Sequence, residues 1–412
     1  MLTNLERIQS DIEALSNFNA TRENGLTRFS LTEADRGARE YLKGELNKLG
    51  IIPYEDAAGN LFGRLEGTEP TLPVIMIGSH FDSVKNGGNF DGPAGVVMGL
   101  EILRVISESE IELKNTVEFA ALIEEEGGRF GAGLYGSRAM TGVVTYEELM
   151  TNKDSHGISM SDALSAFGFD PKRIEEAKRN PEDIKAFIEL HIEQGPVLEQ
   201  EAIEVGIVKE VVGIRQLSVK IVGRPDHAGT TPMHLRCDAL QAAAEVIAKI
   251  PQFANATNDG TVATVGVLNI KPCAANIVPG VAEFTVDIRS KNALSVEGVH
   301  HKIESQLKAL SERGQLQFEI ETLLTVKPTR LAESVEKALR ESSEKLGISY
   351  KEMSSGAGHD AMIMASVVDT GLIFVPSKEG RSHCKEEWTD YDALQKGIEV
   401  ICHTVIALGR SS

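Results

Sequence analysis

Continuous apolar runs near both ends of the chain alternate with stretches in which apolar residues recur at helical spacing. The runs predict strands at 61–65, 74–77, 117–123, 186–190 and 372–375. Run 117–123, interrupted only by Glu118, is typical of a strand buried in a parallel or mixed sheet. Helical spacing predicts helices over 32–50, with Thr32 as N-cap, and over 95–106. Strands that alternate with helices indicate a layered α/β domain.

The middle of the chain follows another order. Its pattern predicts, in sequence, a strand at 217–222, a helix at 238–249, strands at 262–270 and 282–289, a helix at 295–310 and a strand at 316–323. Pro251 is expected to keep the first of these helices from running much further. The order β-α-β-β-α-β is that of the ferredoxin-like unit. We therefore expect a mixed-sheet α/β catalytic domain with helices on both faces, formed by residues 1–212 and 329–412, and an inserted ferredoxin-like α+β domain, residues 213–328.

Charge and cysteine content narrow the classes of function. The 412 residues include 61 Asp and Glu but only 42 Lys and Arg, which gives a net charge of −19. Such a balance argues against binding nucleic acid or anionic membranes, and no apolar run approaches the roughly 20 residues of a membrane span. The four cysteines form no C-x-x-C pair. The first residues do not resemble a signal peptide, so we expect a cytoplasmic protein.

Polar clusters directly follow the predicted strands. His80 and Asp82 follow 74–77, a run of three glutamates follows 117–123, His191 follows 186–190, and His383 lies shortly after 372–375. Ligands of open α/β sheets bind beyond the carboxyl ends of the strands. We therefore expect these side chains to lie close together.

Imidazole and carboxylate together suit zinc, manganese or cobalt better than calcium. The candidate ligands are His80, Asp91, Glu126, His191 and His383. Two metals about 3.5–4 Å apart need a bridging carboxylate, and Asp91 lies in a glycine-rich bend where it could bridge. Asp82 is placed to accept the second imidazole N–H of His80 and fix its tautomer. Each cluster alone is compatible with a solvated histidine or charge run, but their joint occurrence favours a metal site.

Several motifs resemble the amidase/hydantoinase/carbamoylase family, a branch of the dinuclear metallo-aminoacylase and carboxypeptidase superfamily. The resemblance extends in order from about residue 24 to residue 390. The motifs that carry it, between residues 78 and 383, are G-S-H-F-D-S-V, N-F-D-G-P-A-G-V, E-E-E-G-G-R-F, E-L-H-I-E-Q-G-P-V-L-E, H-A-G-T-T-P-M, N-I-V-P-G, S-G-A-G-H-D-A and F-V-P-S-x-x-G-x-S-H. Nearly the whole chain is covered, and the set of motifs is specific.

The resemblance implies two divalent metal ions per subunit, Zn²⁺, Mn²⁺ or Co²⁺, and a role for each matching residue. His80 and His191 match the ligands of one metal, Glu126 and His383 match those of the other, and Asp91 matches the bridge. Glu125 matches the general base.

The resemblance also implies a homodimer built through the inserted domain, with His227, Asn276 and Arg289 acting across the interface. His227 matches a histidine that stabilises the oxyanion, and Arg289 matches the arginine that binds the substrate carboxylate. Gln194, Asn276, Gly358 and His359 match further residues of the substrate pocket. Without the resemblance, His227 is an ordinary loop histidine and Arg289 an ion pair with Asp287.

The activity expected from the resemblance is hydrolysis of the ureido C–N bond of a small acid. An N-carbamoyl-L-amino acid would give the amino acid, CO₂ and NH₃. Allantoate and β-ureidopropionate are alternatives, since they share the ureido group and the carboxylate. A peptidase is less favoured, because that branch carries Glu or Asp in place of His191. A catalytically inactive binding protein on the same scaffold is the non-enzyme alternative, and it would have lost a ligand or the base.

Overall fold

The computed structural model describes residues 2–314 and 316–410. The helices of this part are α1 Leu5–Ser16, α2 Glu33–Lys48, α3 Pro93–Glu108, α4 Tyr135–Met140, α5 Tyr146–Thr151, α6 Met160–Phe167, α7 Val197–Glu201, α8 Ala239–Asn255, α9 Ala293–Gly314, α10 Glu333–Leu346, α11 Asp360–Met364 and α12 Tyr391–Arg410. The strands are β1 Tyr54–Glu55, β2 Leu61–Leu65, β3 Val74–His80, β4 Val117–Leu122, β5 Ile184–Ile192, β6 Val205–Val211, β7 Gly213–Val222, β8 Asp226–His227, β9 Val262–Thr264, β10 Leu268–Lys271, β11 Ile277–Val278, β12 Val281–Ser290, β13 Gln317–Val326, β14 Thr329–Arg330, β15 Tyr350–Ser355 and β16 Thr370–Val375.

The chain divides into two compact units. The first unit comprises residues 1–209 and 330–412, and the second comprises residues 210–329. Within the described residues, no helix has both the length and the apolar character needed to cross a membrane.

A mixed sheet forms the centre of the first unit. Its strand order is β1-β2-β4-β3-β5-β16-β6-β14, and β15 pairs with β6. Four adjacent strands, β4, β3, β5 and β16, are parallel to one another. On either side of them, β2 pairs antiparallel with β4 and β6 pairs antiparallel with β16. The four parallel strands therefore end at one edge of the sheet. Strands β3, β4 and β16 are buried at every position, which explains their continuous apolar sequences.

Helix α3 packs closely against the parallel strands. Two glycines near its N-terminus permit the approach. A β-carbon at Gly95 would lie 2.4 Å from the carbonyl oxygen of Leu190, and Gly92 has a φ of 84°, with its β-carbon position 2.4 Å from the ring of His80. Only glycine fits such a left-handed position against a side chain. The turn that carries Asp91 is thus held next to the ends of β3 and β5.

The second unit is a sheet covered by α8 and α9. Its strand order is β10-β12-β7-β13, with β9 also pairing with β12. Apolar residues of β7, β12, α8 and α9 form one buried core. Along β12 the burial alternates, so that one face turns to the helices and the other carries Glu283, Thr285, Asp287 and Arg289.

Two elements of the second unit differ from the predicted ones. The predicted strand 262–270 is two strands, β9 and β10, both paired with β12. The break includes Gly266, and glycine in a strand often marks such an irregularity. The limit predicted at Pro251 is also wrong, because α8 includes the proline and continues past it to Asn255. Ile250 and Ala254 are both buried in the core, and this packing outweighs the backbone hydrogen bond lost at proline.

Candidate active site

The ends of the parallel strands bring the predicted metal ligands together. His80 is the last residue of β3, His191 lies near the end of β5, and Glu126 follows β4. Asp91 comes from the turn before α3, and His383 from the segment after β16. Residues far apart in the sequence thus meet at one edge of the first unit's sheet.

The two carboxylate oxygens of Asp91 face different groups of ligands. Oδ1 lies 3.0 Å from His191 Nε2 and 3.6 Å from His80 Nε2. Oδ2 lies 3.3 Å from His383 Nε2, which is in turn 3.4 Å from Glu126 Oε1. His80, Asp91 and His191 form one group able to hold a metal ion, and Asp91, Glu126 and His383 form another. Such an arrangement is what a carboxylate bridge between two cations requires.

Unpartnered atoms in the cluster fit a metal site. His80 Nε2 and Glu126 Oε1 are buried and make no hydrogen bond among the described residues. Buried polar atoms are normally paired, and both atoms face Asp91 or its neighbours. Imidazole nitrogen and carboxylate oxygen are suitable donors for zinc, manganese or cobalt.

The side chains of the cluster strongly shift one another's pKa values. The imidazoles of His191, His383 and His80 hold the pKa of Asp91 well below its usual range, although burial acts in the opposite direction. The carboxylates of Asp91 and Glu126, 3.3 Å and 3.4 Å from His383 Nε2, raise the pKa of His383 to about 11. Positive charge beside these carboxylates is therefore strongly favoured, and a bound dication would supply it.

The three consecutive glutamates have different environments. Glu124 is fully buried, and its carboxylate accepts hydrogen bonds from the backbone amides of Arg129 and Phe130. It closes the loop rather than facing the metal ligands. Glu125 Oε2 lies 3.8 Å from His80 Nε2. Burial raises the pKa of Glu125 well above its usual value, and the nearby Glu126 carboxylate adds to this effect. Glu125 is therefore a carboxylate beside the ligands with increased affinity for a proton.

Asp82 positions the glutamates as well as His80. Its carboxylate accepts hydrogen bonds from the backbone amides of Glu125 at 3.1 Å and Glu126 at 3.3 Å. The nearest acceptor to His80 Nδ1 is the backbone carbonyl of Asp82, at 3.2 Å, whereas Oδ1 is 3.6 Å away. The carbonyl, more than the predicted carboxylate, is therefore placed to orient the imidazole.

Gln194, Ser382 and Glu387 surround Asp91. Gln194 Nε2 and Ser382 Oγ each lie 2.7 Å from Asp91 Oδ2. Glu387 accepts hydrogen bonds from the backbone amides of Phe90 and Asp91 and lies 2.8 Å from Ser382 Oγ. Burial and the Asp91 charge raise the pKa of Glu387 to about 7. Ser382 and Glu387 were not predicted from the sequence. Glu387 belongs to the charged segment Lys385-Glu386-Glu387, whose composition is typical of an exposed loop.

Comparison with known proteins identifies the family. The profile of peptidase family M20/M25/M40 matches residues 76–407. An N-carbamoyl-L-amino-acid amidohydrolase of Paenarthrobacter aurescens is 46% identical over 405 residues, covering 98% of each chain. An allantoate amidohydrolase of Bacillus subtilis is 34% identical and covers 95% of this chain and 94% of its own. A hydantoinase/carbamoylase family amidase of Burkholderia multivorans has a TM-score of 0.90 at 30% identity, covering 99% of this chain and 98% of that one.

The chain belongs to the hydantoinase/carbamoylase amidases of peptidase family M20/M25/M40. The resemblance inferred from the motifs and the predicted α/β class are confirmed. The amidase is accordingly a hydrolase, and its His, Asp and Glu cluster supports the use of divalent metal.

Two further predicted residues of the first unit, Gly358 and His359, directly precede α11. His359 is buried, its Nε2 is 2.8 Å from Ser355 Oγ, and its ring meets that of His191 edge-on with centroids 4.5 Å apart. Burial and the neighbouring His191 lower the pKa of His359 well below its usual value. His359 is thus a neutral ring that supports a candidate ligand. Gly358, which precedes it, is partly exposed.

Three predicted residues of the amidase lie in the second unit. His227 and Asn276 are exposed and lie on adjoining segments, since β8 pairs with β11 and the amide of Ala228 donates to the carbonyl of Asn276. Arg289 Nε donates to Asp287 Oδ1 at 2.8 Å, and its side chain is 33% exposed. The ion pair expected as the alternative is therefore present, and a substrate carboxylate would have to share Arg289 with Asp287.

We expect Glu387→Ala to lower metal affinity by about 10- to 100-fold, the usual effect of removing a partner of a metal ligand. Without the Glu387 carboxylate, the backbone amides of Phe90 and Asp91 and the hydroxyl of Ser382 lose a shared hydrogen-bond acceptor. Isothermal titration of the metal-free protein with Mn²⁺ measures the change.

The matched control is Glu386→Ala, the neighbouring residue, which makes an exposed ion pair with Arg381 at 3.0 Å. This variant should bind Mn²⁺ as the parent protein does. Equal affinities for all three proteins would contradict a role of Glu387 in holding Asp91.

Proposed function

We propose that this amidase hydrolyses the ureido C–N bond of N-carbamoyl-L-amino acids, giving the L-amino acid, CO₂ and NH₃, with two divalent ions bound per subunit. The observation that carries the proposal is the Asp91 carboxylate with one oxygen toward His80 and His191 and the other toward Glu126 and His383. The relative at 46% identity carries the corresponding name.

The bound metals would activate a water molecule and polarise the ureido carbonyl. Their candidate ligands are His80 and His191 for one ion and Glu126 and His383 for the other, with Asp91 between them. Zinc, manganese and cobalt all suit this set of ligands.

Glu125 is the proposed general base. It takes a proton from the attacking water and returns it to the leaving nitrogen, so that one water is consumed for each bond cleaved. The raised pKa of the buried carboxyl favours the second of these transfers. Gln194, beside Asp91, and the Gly358–His359 segment are proposed to contact the substrate.

His227, Asn276 and Arg289 are the residues that we propose from the second unit. His227 would donate to the oxyanion, and Arg289 would bind the substrate carboxylate, since a guanidinium matches a carboxylate in shape and charge. We further propose a homodimer formed through residues 213–328, in which these residues act across the interface. Exposed apolar side chains in this unit, Val262, Leu268 and Leu323 among them, support an interface there. Analytical ultracentrifugation tests it, and a monomer at assay concentration would contradict it.

Allantoate is the second candidate substrate, supported by the Bacillus subtilis relative. β-Ureidopropionate shares the same reacting group. The deciding experiment is an ammonia-release assay of the Mn²⁺-reconstituted protein with several N-carbamoyl-L-amino acids, allantoate and β-ureidopropionate. We expect the highest kcat/KM with an N-carbamoyl-L-amino acid. A higher value for allantoate would reassign the substrate, and no ammonia from any of them would refute ureido hydrolysis and favour an inactive binding protein.

Arg289→Ala should raise KM by about 10- to 100-fold, which corresponds to the ~1.5–3 kcal/mol of a hydrogen bond to a charged group. The metal ligands and Glu125 are untouched, so kcat should fall much less. Steady-state kinetics with an N-carbamoyl-L-amino acid separates the two parameters.

Lys220→Ala is the control for this variant, because Lys220 is a partly exposed cation of β7 paired with Glu319 in the same sheet. An unchanged KM in Arg289→Ala would show that Arg289 serves only its ion pair with Asp287.

A further inference from the structure

The loop after β8 folds around the ring of His227. The backbone amides of Gly229 and Thr230 donate to His227 Nδ1 at 3.1 Å and 3.2 Å. The amide of Thr231 donates to the His227 carbonyl at 3.2 Å. A nitrogen that accepts two hydrogen bonds carries no proton, so the neutral ring has its proton on Nε2. Nε2 makes no hydrogen bond to any described residue and lies on an exposed side chain.

Arg236 holds the outer side of the same loop. Its Nη2 donates to the Ala228 carbonyl at 2.6 Å, and its Nε donates to the Thr231 carbonyl at 3.0 Å. The Ala228 carbonyl and the Gly229 amide belong to one planar trans peptide, so their C=O and N–H bonds point in opposite directions. By fixing the carbonyl toward its guanidinium, Arg236 turns the Gly229 N–H toward His227 Nδ1.

We propose that Arg236 is a positioning residue that keeps His227 in the Nε2–H tautomer. The ring then presents one N–H donor on its exposed side. The contribution to catalysis rests on the proposed function, in which that N–H meets the oxyanion. The tautomer itself does not depend on it.

The shape of the arginine side chain matters for this role. The two carbonyls are reached by two different nitrogens of one planar group, which an ammonium cannot reproduce. Arg236→Lys should therefore retain one of the two contacts and behave as an intermediate between the parent and Arg236→Ala. Arg224 is the matched control. It is an exposed arginine near the same loop that pairs with Asp226 and the Leu235 carbonyl, not with the carbonyls of Ala228 or Thr231.

The test uses the full-length protein with ¹⁵N-labelled histidine, in which long-range ¹H–¹⁵N NMR spectra distinguish the two tautomers. The ring signals of His227 are identified by their absence in His227→Ala. We expect an Nε2–H pattern in the parent and in Arg224→Ala, a mixture of tautomers in Arg236→Ala, and a smaller shift in Arg236→Lys. An unchanged Nε2–H pattern in both Arg236 variants would overturn the proposal.

Kinetics provides the second readout. Arg236→Ala should lower kcat on the ureido substrate by about tenfold with KM nearly unchanged, a fraction of the 10²- to 10³-fold effect of losing a whole oxyanion donor. The same substitution in a His227→Ala background should have no further effect. A tenfold loss that persists without His227 would overturn the role in catalysis. If the parent protein hydrolyses no ureido acid, the proposed function fails, and the NMR spectra still decide whether Arg236 sets the tautomer.

Discussion

Glu125→Gln should lower kcat by about 10³-fold while leaving the metal content unchanged, because glutamine keeps the shape of the side chain but cannot accept a proton from water. Glu125 Oε2 lies 3.8 Å from His80 Nε2 and belongs to neither of the two ligand groups that share Asp91. Initial rates of ammonia release and inductively coupled plasma mass spectrometry of the same sample measure the two quantities.

A surface variant separates this effect from a change of charge alone. Glu147 is exposed on α5, and Glu147→Gln should keep the parent rate. Full activity in Glu125→Gln would remove Glu125 from the mechanism. Loss of metal from this variant would instead place Glu125 among the ligands, as a third group of side chains close enough to share an ion, His80, Glu125 and Glu126, would allow.

Asp91→Ala should lower the affinity for divalent metal by more than about 100-fold, a larger effect than that of any partner behind the ligands. Two dications at the spacing of about 3.5–4 Å that is usual in dinuclear sites would repel each other strongly. In the proposed site, the Asp91 carboxylate would supply the negative charge that offsets this repulsion. Without it, the two groups of ligands hold at most one ion, and hydrolysis should fall below detection.

Mn²⁺ titration calorimetry gives the affinity and the number of ions bound. The control is Asp392→Ala, an exposed aspartate in the first turn of α12, which should bind as the parent does. Two ions bound by Asp91→Ala with parent affinity would exclude Asp91 as the bridge.

The strands and the ligands at their ends could be predicted from the sequence, because a strand buried on both faces leaves a continuous apolar run. Strand β2 has the predicted bounds, and β3, β4, β5 and β16 differ from theirs by a few residues. The polar residue that follows such a run lies at the edge of the sheet by necessity. His80, His191 and Glu126 were found in this way, and the structure places them together.

Contacts made across long sequence separations could not be predicted in the same way. In the sequence, nothing distinguishes Glu387 from the other charged residues around it. Only the fold brings its carboxylate to the backbone amides of Phe90 and Asp91. The three glutamates of the 124–126 run are identical in sequence, and only the loop geometry buries the first and turns the others to the ligands. Pro251 shows that local sequence preferences have the same limit. Proline disfavours the interior of a helix, but the burial of Ile250 and Ala254 in the core outweighs this preference in α8.

The position of β16 bears on how the protein is synthesised. This strand lies between β5 and β6 in the sheet, although the whole second unit separates it from both in the chain. A ribosome that has completed β5 must add roughly 180 further residues before β16 can pair with it, on the order of 10 to 40 s at ordinary rates of elongation. During that time the apolar edge of β5 is open to other chains. The sheet of the first unit therefore cannot be completed, and the candidate ligands cannot all come together, until a nearly complete polypeptide has been synthesised.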